Sequence, residues 1–531
     1  MVTATGMATG TATAMDMTAM TRRRAEPRCL AIALAAWALV AQAQQAAAPA
    51  GVLSVRPRLS VMQTWTDNLR LSERDKDAAV IATVSPGVTV SSSSGMLRGS
   101  LDYSLNGSVY LKTDQPSQVR NALSATGQAE LISRTLYVDM RASIGQQNAS
   151  ALGLLSTPTL GGQGSLSNLA NPNQRETGTL SVSPLLRGVL GTLATFDLRA
   201  DFARTEVRGA ALGDSRSSGV SLSLNEANAG VLSWWLQASQ QRVKAKTVPS
   251  NGSANLRLGL RYRPDPDWVF SANVGRERND YLGGGYREGA TYGVTADWTP
   301  TPRTRVSADW QRQHYADTHG LNFEHRMART VLRLADTHTT VLGNTGASGG
   351  QRTYYDLFFL LFTSQEPDPI KRDLLVRAYL QSQGLSPDAP LATGFLSSGP
   401  SRLRNQQLGL TWQAPRGSVT LLGNRALTRR LADGLNQGDL ASNARIEQWS
   451  VSLSASYRLT PTSGLSIAAT RQESSGDRGI AAASQLTTLT ANWNGRLGQQ
   501  LSVQLGGRHS RANGLFSYTE NAVYASLIQQ F

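Results

Sequence analysis

"LRGSLDYSLNGSVYLK" runs from Leu97 to Lys112 and alternates along its whole length. Leu97, Gly99, Leu101, Tyr103, Leu105, Gly107, Val109 and Leu111 share one face. Arg98, Ser100, Asp102, Ser104, Asn106, Ser108, Tyr110 and Lys112 share the other. Side chains of a strand point alternately to its two sides, so this segment separates an apolar medium from a wet one. The pattern returns in "LYVDMRASIG" (136–145), in "NLRLGLRYR" (255–263) and again around Leu501, Val503 and Leu505. A soluble sandwich alternates too, so periodicity alone does not decide.

Turn lengths and aromatic placement do. "ISRT" (132–135), "RPDPD" (263–267), "TPTPR" (299–303), "APRG" (414–417) and "LTPTSG" (459–464) read as tight turns, whereas "RNDYLGGGY" (278–286) and "RLADGLNQGDLASN" (430–443) read as longer polar loops. Short and long connections alternate when turns lie on one side of a membrane and loops on the other. Tyr262, Trp268, Trp298, Trp412, Tyr457 and Trp493 flank short turns on the apolar register, the placement of a membrane-interface girdle. These features predict an all-β, transmembrane antiparallel barrel of about 22 strands. The strand through 326–334 and the strand at 402–412 would run the same way, so another strand is expected between them, with "TYYDLFFLL" (353–361) as the candidate.

The chain closes on "NAVYASLIQQF" (521–531), in which Val523, Ala525 and Leu527 oppose Tyr524, Ser526 and Gln530. The last residue, Phe531, reads as the anchor of the closing strand and as an insertion signal for the barrel-assembly machinery. At the other end, Arg22, Arg23 and Arg24 precede an apolar run from Cys29 to Ala41 and an A-x-A site at 41–43. That is the layout of a secretory signal peptide. Residues 1–43 are therefore expected to be removed, with Met20 as initiator, and 44–531 to form the barrel. The sole cysteine leaves with the signal, and with it thiol chemistry, disulfides and cysteine-ligated metal. No later stretch holds about 18 consecutive apolar residues, so a bilayer would be crossed by a closed barrel or not at all. The formal charge of +15 becomes +13 after cleavage, 48 basic residues against 35 acidic ones. In an exported chain this excess points to membrane lipid or an anionic polymer and away from nucleic acid.

With the apolar register toward lipid, Arg98, Arg141, Arg199, Arg257, Arg261, Arg305 and Arg508 face inward, as do Asp102, Asp139, Asp197, Asp201, Asp297 and Asp309. Mixed charge of this kind holds a bore open through ion pairs, and a residual positive bias favours anions or acidic sugars. His314, His319 and His325 bracket "HYADTHGLNFEH", read as an outer hairpin with Asp317 and Glu324 nearby. A metal site or an Asp–His pair activating water is one reading, a polar loop tip the other. No nucleophile elbow at a strand-to-helix turn, H-E-x-x-H or P-loop is read, so no catalytic residue, metal or cofactor is assigned. "VSP" at 84–86 and 182–184 sets prolines inside strands, where bulges or strand ends are expected. Asp67 and Asn68 of "TWTDN" fit turn chemistry or a cation site.

Segment 335–401 breaks the hairpin rhythm. Pro369 suits a helix start and Gly384 its end, with Ile370, Leu374, Leu375, Ala378 and Tyr379 on one face and Lys371, Arg372, Asp373 and Arg377 on the other. One short helix is expected there, as a cap over the rim or a plug in the bore. Four features together resemble the PEP-CTERM system-associated outer-membrane β-barrel family, encoded alongside exosortase and exopolysaccharide genes. They are "QTWTDNLRL" (63–71), "DPIKRDLLVRAYLQSQGL" (368–385), "GFLSSGPSRLRNQQLGL" (394–410) and the terminal Phe531. The resemblance covers essentially the whole chain beyond residue 43. It implies an integral outer-membrane location and a part in polysaccharide export or surface assembly, without an established activity. An anionic exopolysaccharide or export proteins would then be partners, beside membrane lipid. A general solute porin, or a barrel enzyme resting on the histidine hairpin alone, are the alternatives.

Overall fold

A computed structural model describes residues 53–92, 96–155, 170–210, 212–228, 230–343, 394–434, 436–477 and 483–531, with Tyr355, Phe358, Phe359, Phe362, Arg372 and Val376 besides. The expected signal segment and the expected apolar helix face (Ile370, Leu374, Leu375, Ala378, Tyr379) lie outside the described residues. Each alternating stretch forms a strand. In chain order these are β1 (Ser54–Thr66), β2 (Ala79–Ser92), β3 (Leu97–Leu111), β4 (Gln118–Ile132), β5 (Leu136–Asn148), β6 (Gln174–Leu190), β7 (Ala194–Val207) and β8 (Ser215–Glu226). They continue as β9 (Leu232–Ala245), β10 (Asn251–Asp265), β11 (Trp268–Asn279), β12 (Arg287–Thr301), β13 (Thr304–Arg312), β14 (Asp317–Arg326) and β15 (Thr330–Leu342). The last are β16 (Pro400–Gln413), β17 (Gly417–Arg430), β18 (Arg445–Thr460), β19 (Ser463–Ser475), β20 (Ser484–Leu497), β21 (Leu501–Gly514) and β22 (Tyr518–Gln530).

Every strand pairs antiparallel with its chain neighbours. β22 also pairs with β1, from Arg58 opposite Gln530 to Thr66 opposite Ala522, and this closes a 22-stranded ring. A closed ring has no edge, so the wall satisfies its backbone N–H and C=O groups internally, as lipid requires. Connections after even-numbered strands are short, such as 266–267 and 461–462, and those after odd-numbered strands include the long ones, such as 431–444. The barrel thus has a short-turn end and a long-loop end. Phe531 donates its backbone N–H to the Pro57 carbonyl (3.0 Å) at the short-turn end.

The two faces separate as the alternation predicts. Leu256, Leu258 and Leu260 are more than half exposed, and Val523 is 61% exposed beside Tyr524 at 3%. The inner face is the one covered by loops: Ile81, Tyr110, Leu486, Ala512 and Tyr518 lie in one buried cluster with loop residues Leu69, Leu71, Leu154 and Leu155. The outer face is a band of exposed Leu and Val, the surface a lipid-facing barrel presents. Tyr262, Trp268, Trp298, Trp412, Tyr457 and Trp493 all sit at the short-turn ends of their strands, and the rings of Trp268 and Trp298 stack with centroids 5.3 Å apart. Leu258→Arg is expected to destabilise the membrane-inserted barrel by about 2–4 kcal/mol, because it puts a charge at mid-belt. Denaturant unfolding in lipid vesicles measures it, and an unchanged midpoint would show that this face meets water.

Four expectations need correction. The strand count is 22, but "TYYDLFFLL" is not among the strands: Tyr355, Phe358 and Phe359 are helical, and β15 pairs directly with β16. The expected additional strand comes from a turn at 327–329, which divides β14 from β15 where the sequence pattern suggests one strand through 326–334. Met327 and Arg329 carry no Gly or Pro signal, so this turn was hidden. The insertion is accordingly narrower than 335–401, since β15 reaches Leu342 and β16 starts at Pro400. The "VSP" prolines cause no bulge. β2 advances from Val84 to Gly87 while β3 retreats from Gly107 to Ser104, and β6 against β7 likewise keeps step from Val182–Phe202 to Leu185–Arg199. In the expected helix, Arg372 is not solvated: it is 9% exposed, with its guanidinium 4.2 Å from the Phe359 ring centroid. A further short helix, α1 (Asp439–Ser442), lies in the β17–β18 loop.

Candidate functional site

The candidate site is the bore and its long-loop mouth. Strand alternation sets Arg98, Arg141, Arg199, Arg257, Arg261, Arg305 and Arg508 on the face opposite the exposed Leu and Val rows, toward the bore. They fall into two groups. Arg199 donates from Nη1 to Asp139 (2.8 Å) and from Nε to Asp201 (2.9 Å), spanning β5 to β7. Arg508 is buried against Glu520. Arg58 and Asp102 add a two-pronged pair from β1 to β3, and Arg187 pairs with Asp197. Such pairs tie adjacent and alternate strands of the wall together. By contrast Arg98, Arg141, Arg261 and Arg305 make no ion pair among the described residues, and Arg98 and Arg305 are each the second residue of their strands, beside the short turns. Arg257 is half-buried, with an Nε that meets no hydrogen-bond partner among the described residues.

The long-loop mouth is crossed by chain. Gly399, at φ +98°, turns the backbone out of β16 in the left-handed region that glycine tolerates, and the segment before it runs inward. Phe395 and Leu396 are 1% and 0% exposed. Phe395 forms a parallel bridge with Asn148 at the end of β5, which stands half-way round the ring from β16. Ser398 bridges to Gln437 of the β17–β18 loop and meets the Thr247 hydroxyl of the β9–β10 loop at 3.2 Å. The β5–β6 loop crosses beside it. Ala151 packs with Phe395, Leu440 and Ile446, and the Asp439 carboxylate accepts from the Ser150 hydroxyl (2.9 Å) and the Ala151 N–H (2.6 Å). Farther along that loop, the Leu152 carbonyl accepts from Ser484 (3.1 Å) and the Leu155 carbonyl from the Tyr518 hydroxyl (2.9 Å). Loops from opposite walls therefore meet over the bore through apolar and charge-assisted contacts.

The quoted motifs supply this closure. In "GFLSSGPSRL", Phe395 to Ser398 are the crossing residues. In "QTWTDNLRL", Asn68 is fully buried, accepting from Ser72 N–H (2.9 Å) and donating to the Thr519 carbonyl (2.9 Å), while Leu69 enters the covered cluster. Asp67 accepts from Asn521 of β22 and Asn68 holds the turn through Ser72, so hydrogen bonds within the protein engage both polar residues. Sequence reasoning missed Asp439, Ser150 and Tyr518, whose only signal is a polar residue within or beside a loop.

The histidines do not converge as the hairpin reading required. Asp317–Arg326 is a full strand, so His325 lies at the short-turn end, bonded to Thr304 (2.8 Å), while His319 lies near the other end beside His338 and Asp336. Among the described residues, no group of three metal-ligating side chains is found. In the neighbouring loops, Tyr281 and Tyr315 meet edge to face with ring centroids 5.5 Å apart. Burial pushes the Tyr281 hydroxyl up to about 12 and raises that of Tyr315 as well.

No family model and no curated protein matches the chain. Among solved structures it is similar to the siderophore receptor PirA from Pseudomonas aeruginosa, with a TM-score of 0.43 and 11% identity over 91% of this chain and 81% of that one. It is also similar to the FrpB iron transporter from Neisseria meningitidis (F3-3 variant), with a TM-score of 0.48 and 11% identity over 90% and 81%. A third is OpdL of Pseudomonas aeruginosa, with a TM-score of 0.33 and 10% identity over 90% and 98%.

Proposed function

We propose that the chain is an integral outer-membrane protein that carries anionic hydrophilic cargo through a loop-gated bore, from the short-turn side to the long-loop side. The observation supporting this is the combination of unpaired inward arginines near the short turns with loops folded across the opposite mouth. Short turns face the periplasm in outer-membrane barrels. An acidic polymer arriving there would meet Arg98, Arg261 and Arg305 first and the loop gate last. The family resemblance supports an exopolysaccharide as the cargo, while the wall by itself supports the coarser reading of a gated solute channel.

The partition of exopolysaccharide between periplasm and medium, in a strain lacking the protein, tests the polymer reading. Polymer trapped inside and released on complementation is the expected result, and unchanged secretion rejects export. The channel reading is tested separately in planar bilayers. Reversing Arg98, Arg261 and Arg305 to glutamate is expected to shift ion preference several-fold, roughly, from anions toward cations. Equal selectivity in both proteins would remove the arginines from the passage.

A further inference from the structure

On β16 to β19 the outer face is charged toward the long-loop end. On β16 to β19 the register that forms the apolar belt also bears Arg402, Arg404, Arg425, Arg429, Arg445 and Arg471, each within five residues of the long-loop end of its strand. Toward the short turns the same faces carry Trp412, Val419, Tyr457 and Leu465. Arg402 stands directly opposite Arg429, and Arg429 directly opposite Arg445. Side chains so placed are about 4.5–5.5 Å apart at Cβ, and like charges at that spacing are destabilising unless something offsets them.

The protein's own acids do not offset them all. On β15 to β19 the outward register that holds the six arginines carries three carboxylates, those of Asp336, Glu447 and Glu473. Glu447 takes both Arg425 (2.6 Å) and Arg445, and Asp336 takes Arg404 (2.6 Å). Arg402 donates to the backbone carbonyl of Asp317 (2.6 Å). Arg429 is exposed and meets no acid among the described residues. Trp449 lies in the patch, its ring centroid 5.8 Å from the Arg471 guanidinium, as an aromatic at a lipid–water boundary would.

We propose that the Arg402–Arg429–Arg445 row binds the phosphates of a phosphorylated glycolipid in the outer leaflet, with the acyl chains lying on the Leu and Val belt beneath. Guanidinium groups match phosphate oxygens in paired hydrogen bonds, which supplies the missing counter-charge. A free anion would meet the row but leave the adjoining belt unused, and the belt's continuity with the row favours a lipid. The inference rests on the reading of the chain as an outer-membrane barrel, so its test must separate the two.

The test uses the full chain in bilayer nanodiscs holding equal amounts of diphosphorylated lipid A and its dephosphorylated counterpart, with retained lipid counted by native mass spectrometry. The wild type is expected to retain the diphosphorylated form about tenfold over the other, and R429Q/R445Q to lose most of that preference. R429K, which keeps the charge, is expected to keep most of it. Equal retention of both lipids by an inserted wild type overturns the proposal and leaves the membrane reading standing. A preference that survives in folded R429Q/R445Q overturns the assignment to this row. Failure of the wild type to enter any bilayer overturns both readings. If the double variant does not fold, the wild-type comparison still decides whether phosphate is selected.

Discussion

Replacing Glu520 with glutamine is expected to destabilise the barrel by about 3–5 kcal/mol, the usual cost of leaving one member of a buried ion pair unpartnered. Glu520 and Arg508 are 0% and 1% exposed at their side chains although they face the bore. Arg508 Nε donates to Glu520 Oε2 at 2.9 Å, and the Thr66 hydroxyl donates to Oε1 at 2.9 Å, so the carboxylate ties β21 and β22 to β1 at the closing seam. Glutamine keeps the shape but removes the charge that the guanidinium needs. The urea midpoint in detergent micelles, read by tryptophan fluorescence, measures the loss. A double change to leucine at both positions is expected to recover much of it, because two well-packed apolar groups avoid the desolvation of two charges. If E520Q unfolded at the wild-type midpoint, the pair would have to be wet and the seam held by its ladder alone.

How much of this could be read from the sequence depended on the range of the interaction. Alternation is local, so the strands, the inward side of Arg508 and the outward side of Trp268 and Trp298 were all legible. Tight turns marked by Pro or Gly, such as 266–267, were legible for the same reason. The turn at 327–329 was not, because nothing in Met327 to Arg329 requires a special backbone conformation, and Asp317–Arg326 therefore reads as part of an outer hairpin and not as a strand of its own. Glu520 as the partner of Arg508, and Asp439 as the partner of Ser150, depend on which strands and loops become neighbours. The latter two stand 289 residues apart, beyond any local pattern.

Asp439→Ala is expected to open the mouth. The carboxylate holds the β5–β6 loop through the Ser150 hydroxyl and the Ala151 N–H, both charge-assisted bonds. Hydrogen bonds to a charged group contribute about 1.5–3 kcal/mol each. Losing even one such contribution shifts a closed–open equilibrium by a factor on the order of ten to one hundred. Planar-bilayer recordings should show the wild type mainly at low conductance with brief openings, and D439A mainly open. Phe395→Ala acts on the same closure from its apolar side, removing a side chain that is 1% exposed, at a cost of about 3–5 kcal/mol. The two variants share the Ala151 contact, so their effects should combine less than additively. If both conducted like the wild type, the crossing segments would be ornament on an already open or already sealed bore.

The pairing of β1 with β22 also sets a timetable. Thr66 and Glu520, which bond across that seam, are 454 residues apart, so the ring cannot shut until nearly the whole chain has been delivered. Until then two strands lie with unpaired backbone, a state prone to join any other strand it meets. Long-range closure of this kind is slow. A ribosome that stalls, or a protease that clips the tail, leaves a product that can never hide its two rims. The seam thus makes completeness of synthesis a condition of stability, and damaged copies are marked by their own open edges.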